Sequence, residues 1–98
     1  MEHSLFTKLA AKEISEIYDL LEEKNLDWDI DLISDVLYLQ TEKGDYVINQ
    51  HSPTKQIWLS SPVSSAGYFN YNAEKQIWLN KHNHSIRQVL STDLGITI

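Results

Sequence analysis

The chain has 98 residues, of which 42% are hydrophobic and 22% are charged, and it contains no cysteine. This length and composition predict one globular domain spanning residues 1–98, and the lack of thiols excludes disulfides, thiolate metal sites and a cysteine nucleophile. Fourteen acidic residues against eight Lys and Arg give a formal net charge of -6. This charge disfavours nucleic-acid binding, because affinity for phosphate depends on clustered cations.

The first third of the chain predicts an amphipathic helix followed by a strand. Between Ser4 and Lys24, apolar residues recur at spacings of three and four, the pattern of a helix with one buried face. From Asp27 to Leu32 the period drops to two, so that apolar residues alternate with aspartates. This alternation is typical of a strand whose two faces meet different surroundings.

Five further short strands are predicted between residues 36 and 79. The gaps between them are a few residues each, which suits antiparallel hairpins and leaves no room for crossover helices. The predicted strands are Val36–Thr41, Asp45–Gln50, Gln56–Ser60, Gly67–Tyr71 and Gln76–Leu79, with turn signals at Ser34-Asp35, Lys43–Asp45, Ser52–Thr54, Ser61-Pro62 and Asn72-Ala73.

A second helix is predicted at the end of the chain. Ser85 suits the N-cap of a helix over Ile86–Leu94, and Gly95 suits its C-terminal stop. Two helices with apolar faces need one apolar sheet face to bury against. The predicted fold class is therefore α+β: a two-layer sandwich in α-β-α order, with two helices packed on one face of an antiparallel sheet of about six strands.

The other face of this sheet is open to water, which makes the tract KQIWLSSP at Lys55–Pro62 informative. Ile57 and Leu59 share one side of the strand, and Trp58 lies on the other. If the aliphatic pair faces the helices, Trp58 points at solvent as an aromatic anchor, a residue type enriched at binding hot spots. The alternative is a local bulge that turns Trp58 inward, since large aromatic residues usually supply core.

The same tract recurs as KQIWLN at Lys75–Asn80. One recurrence is too few for a repeat architecture, and two strands of one sheet can share a pattern. We assign it no function. The pattern also leaves open which face of the sheet Trp78 occupies.

Acidic residues are concentrated at the end of the first helix and on the first strand. Glu16, Asp19 and Glu23 form a stripe away from the apolar side of the helix, toward the end where the helix dipole disfavours negative charge. Lys12 is placed to pair with Glu16, which leaves the later acids uncompensated. The strand over Asp27–Asp31 then adds three aspartates on one face, and stripe and row are expected to meet at one edge of the domain.

Two elements that bring like charges together against local electrostatics indicate a cation-binding ridge. The alternative is a solvated acidic face that keeps the protein soluble. Carboxylates without cysteine or a close histidine pair favour hard ions, namely ferrous or ferric iron, Mn²⁺, Ca²⁺ or Mg²⁺. Exposed carboxylates make no closed coordination cage, so the predicted binding is shallow and weak.

The remaining polar residues offer little chemistry. His82 and His84 stand one residue apart in a predicted loop and form a weak candidate metal pair, although a polar turn before the second helix is the favoured interpretation. We find no nucleophile elbow, glycine-rich phosphate loop or catalytic triad pattern. The sequence therefore predicts a protein that is not an enzyme.

Taken together, these features resemble the frataxin family. The resemblance rests on the order of elements, the acidic first helix and strand, YVINQ at Tyr46–Gln50 and above all KQIWLSSP at Lys55–Pro62, and it covers essentially the whole chain. It implies an α-β sandwich, weak iron binding on the ridge, and association with the cysteine desulfurase and the scaffold protein that assemble iron-sulfur clusters.

The resemblance also implies two sets of site residues. The metal ridge consists of Glu16, Asp19, Glu22, Glu23, Asp27, Asp29 and Asp31. The partner-binding surface on the sheet consists of Asn49, Gln56 and Trp58.

The expected function is that of a non-catalytic, iron-binding regulator of iron-sulfur cluster assembly, present as a monomer or as an iron-induced oligomer. Because no transit segment precedes the first helix and no apolar run is long enough to span a bilayer, we expect the cytoplasm of a bacterium, with the mitochondrial matrix as the alternative. Two other functions stay open: an iron-storage or ferroxidase-type protein, and an acidic adaptor that binds a basic protein and no metal.

Overall fold

The order of elements along the chain is helix, six strands, helix in the part of the protein that the structure describes. The computed structural model describes residues 1–24 and 27–98. The elements are α1 (His3–Glu23), β1 (Asp29–Ile33), β2 (Val36–Thr41), β3 (Gly44–His51), β4 (Gln56–Ser61), β5 (Ser65–Asn72), β6 (Ile77–Leu79) and α2 (Ile86–Leu94). Within the described residues, neither helix combines the length and the apolar character needed to cross a bilayer.

All six strands pair with their sequence neighbours as antiparallel hairpins, in the order β1-β2-β3-β4-β5-β6. The first hairpin has a two-residue loop, Ser34 and Asp35, whose φ angles are 51° and 63°. Positive φ at both positions is the geometry of a type I′ turn, which matches the twist of the flanking strands. The predicted turn at this point is confirmed.

The core lies between the two helices and one face of the sheet. α1 buries Phe6, Ala10, Ile14, Ile17 and Leu21 there, and α2 buries Ile86, Leu90 and Leu94. The sheet buries Leu37, Leu39, Tyr46, Ile48, Ile57, Leu59, Phe69 and Trp78. The predicted two-layer sandwich is confirmed, and Trp78, whose face the sequence left open, points at the helices.

The ends of α2 are held as predicted. The Ser85 side chain accepts a hydrogen bond from the amide of Gln88, whose side chain accepts from the Ser85 amide in return, which completes a capping box. Gly95 closes the helix with φ 71°, the left-handed conformation that glycine adopts without steric cost.

The first strand is shorter than the alternation predicts. It begins at Asp29, opposite Gln40, so that Asp27 and Trp28 precede the strand. Trp28 is held instead by a side-chain bond, its indole Nε1 donating to Glu42 Oε2 at 2.7 Å. The predicted connection through Asn25-Leu26 lies outside the described residues.

Candidate cation ridge and docking face

The acidic ridge has a helical part near the carboxyl end of α1. Asp19, Glu22 and Glu23 are exposed there. Within residues 1–24 and 27–98, none of the three forms an ion pair with a Lys, Arg or His side chain. Their charges are therefore balanced by solvent, at the negative end of the helix dipole.

Glu16 differs from these three because its charge is compensated. Its Oε1 lies 2.8 Å from Arg87 Nη2 on α2, and its Oε2 lies 4.0 Å from Lys12 Nζ. Arg87 also donates two hydrogen bonds of 2.9 Å to the carboxylate of Glu13. The bond to Glu13, followed by the charges of both carboxylates, raises the pKa of the Arg87 guanidinium. Glu16 thus serves the contact between the helices and is a poorer ligand for a cation than the later acids.

Sequence reasoning missed the pair of Glu13 with Arg87. The available signal was that Arg87 is the only arginine of the chain and lies on the predicted second helix, while Glu13 and Glu16 are three residues apart on α1. A bidentate arginine bond of this kind fixes both distance and orientation.

The strand part of the ridge is exposed as well. Asp29 and Asp31 alternate with the half-buried Ile30 and Leu32, which pack against the core, and Asp27 is exposed just before the strand. Within the described part of the chain, no Lys, Arg or His side chain forms an ion pair with any of these three aspartates.

Acidic residues from both parts of the ridge act on the Tyr18 phenol. Hydrogen bonding to the Glu22 carboxylate raises the pKa of the Tyr18 phenol, and so do the charges of Glu22, Asp31 and Asp19. Asp31 belongs to β1 and the other two acids to α1. The carboxylates of helix and strand therefore act on one phenol.

No preformed cage exists on this ridge as far as the structure describes it. Among residues 1–24 and 27–98, no group of three or more His, Cys, Asp or Glu side chains is arranged to hold one metal ion. A cation at the ridge would be held by one or two carboxylates and by water, an oxygen ligand set that suits hard ions.

The open face of the sheet carries an aromatic cluster around Trp58, which we define as the docking patch: His51, Trp58 and Tyr68. The ring of His51 stacks on the indole with centroids 3.6 Å apart and an interplanar angle of 12°. Tyr68 meets it edge-on at 5.1 Å and 69°. Because Ile57 and Leu59 are buried and Trp58 is half-buried between them in sequence, the strand is regular and the bulge alternative is wrong.

Hydrogen bonds hold the indole in place. Trp58 Nε1 donates to Gln56 Oε1 at 2.9 Å, and Thr54 Oγ1 donates to the same oxygen at 3.0 Å. Gln56 Nε2 donates to Asn70 Oδ1 at 3.4 Å. Asn49, the third predicted partner residue, lies directly opposite Trp58 in the sheet register. The structure thus brings the three predicted partner residues together.

The ridge and the docking patch share one face of the sheet. Asp31 is paired with Tyr38, Tyr38 with Val47, and Val47 with Ser60, which lies two residues from Trp58 on the same strand. Directly paired residues in a sheet point to the same side. A partner that covers Trp58 and extends across the sheet would therefore meet the strand aspartates. Tyr38 and Tyr68 also lie on this face, where they are 42% and 49% exposed, and strand alternation was the signal that could have identified both.

Comparisons with known proteins agree with this architecture. A family model described as a frataxin-like domain matches residues 1–98. The mitochondrial frataxin homolog of Schizosaccharomyces pombe is 40% identical over 80 residues, and the mitochondrial frataxin of Arabidopsis thaliana is 30% identical over 101 residues. These matches cover 79% and 96% of this chain but only 51% and 54% of the relatives, so the chain spans about half the length of the curated relatives it matches.

Solved structures with the same fold include bacterial and yeast proteins. Frataxin from Psychromonas ingrahamii superposes with a TM-score of 0.84 at 26% identity, covering 96% of this chain and 89% of that one. Trimeric frataxin from Saccharomyces cerevisiae, crystallised in complex with ferrous iron, superposes with a TM-score of 0.79 at 28% identity, covering 89% and 82%. The chain belongs to the frataxin family.

Proposed function

We propose that this protein is an iron-binding, non-catalytic regulator of iron-sulfur cluster assembly that acts on a complex of cysteine desulfurase and scaffold protein. One observation carries the proposal: the half-buried indole of Trp58, with the rings of His51 and the exposed Tyr68 beside it, lies on the same sheet face as the strand carboxylates. Such a surface is suited to a partner with an apolar contact area bordered by basic residues.

We assign iron, which the protein would carry as cargo, to the ridge. The proposed ligands are Asp19, Glu22, Glu23, Asp27, Asp29 and Asp31, with Glu16 in a lesser role because Arg87 engages it. Carboxylate oxygens are hard ligands that suit iron and other hard cations. The membership of the family and the ferrous complex of the yeast relative support the choice of iron.

The docking patch is assigned to the protein partner. A tryptophan that is half-buried in the free protein, already oriented by Gln56 and stacked on His51, loses little side-chain freedom when a partner covers it. Preorganised aromatic residues of this kind often dominate the binding energy of an interface. Asn49, next to Trp58 in the register, supplies a polar group at the rim.

Turnover of a purified cysteine desulfurase and scaffold complex tests the proposal, measured with and without this protein and with and without ferrous iron. We expect the protein to change the rate of sulfide release, and the change to depend on iron. An increase and a decrease both support the proposal. An unchanged rate in both iron conditions, at protein concentrations well above that of the complex, would contradict it.

Two variants separate the two surfaces in this assay. Trp58→Ala should strongly weaken the effect in both iron conditions, because it removes the docking anchor. Asp29→Asn combined with Asp31→Asn should remove mainly the iron-dependent part. Asp35→Asn is the matched control: Asp35 is exposed, lies in the turn after β1, is not among the proposed ligands, and has φ 63°, which asparagine tolerates.

An iron-storage or ferroxidase-type function is the second candidate, favoured by the trimeric assembly of the yeast relative with ferrous iron. In that case the ridge would feed iron oxidation and sequestration in oligomers. Adding ferrous iron under air, while following oxygen consumption and sedimentation, distinguishes the two functions. Rapid oxygen uptake with growing particles supports storage, whereas a monomer without uptake supports the regulator.

The proposal also includes a cellular location. The named relatives include mitochondrial and bacterial frataxins. The bacterial cytoplasm stays our prediction and the mitochondrial matrix the alternative, and imaging of the tagged product of the full gene in its source organism decides between them.

A further inference from the structure

A pair of histidines outside the ridge lies in the loop between β6 and α2. His82 and His84 are both exposed, and their ring centroids are 6.4 Å apart with an interplanar angle of 44°. Neither residue takes part in the proposed function. We therefore ask separately which ligand this pair could bind.

The loop backbone that carries the two histidines is held from within. The side-chain oxygen of Asn80 accepts hydrogen bonds from the amides of His82 and His84, at 2.9 and 3.0 Å. The Asn80 amide donates to the carbonyl of His84 at 2.9 Å, and Ser85 then caps α2. The two backbone positions are thus fixed relative to each other, while both histidines are exposed to solvent.

The separation of the rings is within the reach of one metal ion. An ion bound to an imidazole nitrogen at about 2.0–2.1 Å lies roughly 3.2 Å from the ring centroid, so two rings on one ion have centroids at most about 6.4 Å apart. The observed 6.4 Å equals this limit, which applies when the two rings lie on opposite sides of the ion. A tetrahedral angle at the ion requires the centroids to approach to about 5.2 Å, so binding includes a rotation of the exposed side chains toward each other.

The surroundings select the kind of ion. Both rings line an open groove of about 760 Å³ together with Asn72, Asn80 and Lys81, and no carboxylate occurs among its described lining residues. Hard ions prefer carboxylate oxygens, whereas neutral imidazole suits Zn²⁺, Ni²⁺ and Cu²⁺. Because the charge of Lys81 opposes any cation, binding has to rest on the two nitrogen ligands.

We propose that His82 and His84 chelate one borderline divalent ion of the Zn²⁺, Ni²⁺ and Cu²⁺ class, at a site separate from the acidic ridge. The other coordination positions face the groove and are filled by water. The protein then has two cation sites of different chemistry, with oxygen ligands on the ridge and nitrogen ligands in the loop.

Zn²⁺ titration of the whole protein, followed by calorimetry and by the ring signals of all four histidines in NMR spectra, tests the site. His82→Ala or His84→Ala should each weaken Zn²⁺ binding by about tenfold or more. Changing a residue that only supports a ligand already lowers metal affinity by about 10–100-fold, and these variants remove a ligand itself. His3→Ala is the matched control and should leave the affinity unchanged. Both loop histidines are exposed, so thermal unfolding should be unaltered in their variants.

Two further measurements distinguish the loop from the ridge and from a site between molecules. The combined variant Asp27→Asn, Asp29→Asn, Asp31→Asn should retain the shifts of His82 and His84, and these shifts should fade on acidification because imidazole must be neutral to bind. Zn²⁺ binding that is unaffected by His82→Ala and His84→Ala, or that is lost with the ridge carboxylates, would overturn the proposal. So would a stoichiometry of one ion per two chains.

Discussion

Trp58 and Trp78 end the same tetrapeptide, Lys-Gln-Ile-Trp, yet they lie on opposite faces of the sheet. In β4 the isoleucine is buried and the tryptophan is half-buried on the open face. In β6 the isoleucine is 39% exposed, and the tryptophan is 2% exposed against the helices. Four identical residues therefore give opposite orientations in one sheet.

The loop before each strand accounts for the difference. Both loops have four residues, since His51 pairs with Gln56 and Asn72 pairs with Ile77. The last loop residue is left-handed in both cases, with φ 53° at Lys55 and φ 57° at Gln76. The second tetrapeptide thus enters its strand one residue later, and a shift by one residue exchanges the two faces of a strand.

Polar side chains on the two sides of the sheet also differ in their hydrogen bonds and ion pairs. On the covered side, the buried Asp93 carboxylate accepts hydrogen bonds of 2.7 Å from Ser61 and from Ser64, and Arg87 joins α2 to Glu13 on α1. On the open side, Asp29 and Asp31 are exposed, and neither forms an ion pair within the described residues. The covered side is organised for stability, and the open side leaves its groups available to other molecules.

The sharpest test of this comparison is Trp78→Ala. Trp78 is buried and contacts Phe6 edge-on at 6.0 Å and Tyr71 at 5.2 Å. We expect a loss of about 3–5 kcal/mol in the free energy of unfolding, the usual cost of truncating a buried tryptophan. Denaturant unfolding measures this loss, and a loss below about 1 kcal/mol would show that the covered face does not depend on Trp78.

Trp58→Ala should have the opposite profile. Loss of its contacts with His51 and Tyr68 should lower the free energy of unfolding by only about 1 kcal/mol. Its association with the desulfurase complex should weaken by about 30-fold, equivalent to ~2 kcal/mol, as at a binding hot spot. Unfolding and a pull-down with the same protein sample give both numbers. A strongly destabilised variant would place Trp58 in the core, and a stable variant that still binds would remove it from the interface.

Charge removal should also have opposite effects on the two sides. Arg87→Ala should lower the free energy of unfolding by about 1 kcal/mol, because it breaks the bond between the helices. Asp29→Asn should raise it by a few tenths of a kcal/mol, because it relieves repulsion among like charges while weakening cation binding. Thermal unfolding compares the two variants with Asp35→Asn as the control. A destabilised Asp29→Asn protein would reveal a structural partner for that carboxylate.

The smallest predicted effect concerns Tyr18. The raised pKa of its phenol favours the protonated form in the folded state, so this contribution to stability is complete below the ordinary value of 10.0 and is lost as pH rises through the raised value. Asp31→Asn should lower the pKa of Tyr18 toward its ordinary value, which ultraviolet or NMR titration measures. An unchanged pKa would mean that the strand and helix parts of the ridge do not interact.

Local sequence patterns were sufficient for the order of elements and for several of their ends. The Ser34-Asp35 turn, the Ser85 cap and the Gly95 stop depend on residues adjacent in the chain, and the structure has all three. For Trp58, alternation with the aliphatic Ile57 and Leu59 favoured the open face, and the structure agrees. The same rule applied to Ile77, Trp78 and Leu79 gives the wrong face.

Features that depend on contacts between distant residues were decided only by the tertiary structure. β4 and β6 share the order Ile-Trp-Leu, yet the tryptophan lies on the open side in β4 and on the covered side in β6, so alternation alone cannot select a face. The pairing of Arg87 with Glu13 joins residues 74 positions apart, and the effect of Asp31 on Tyr18 joins a strand to a helix. Such contacts depend on how the elements pack together, and periodicity within one element does not contain that information.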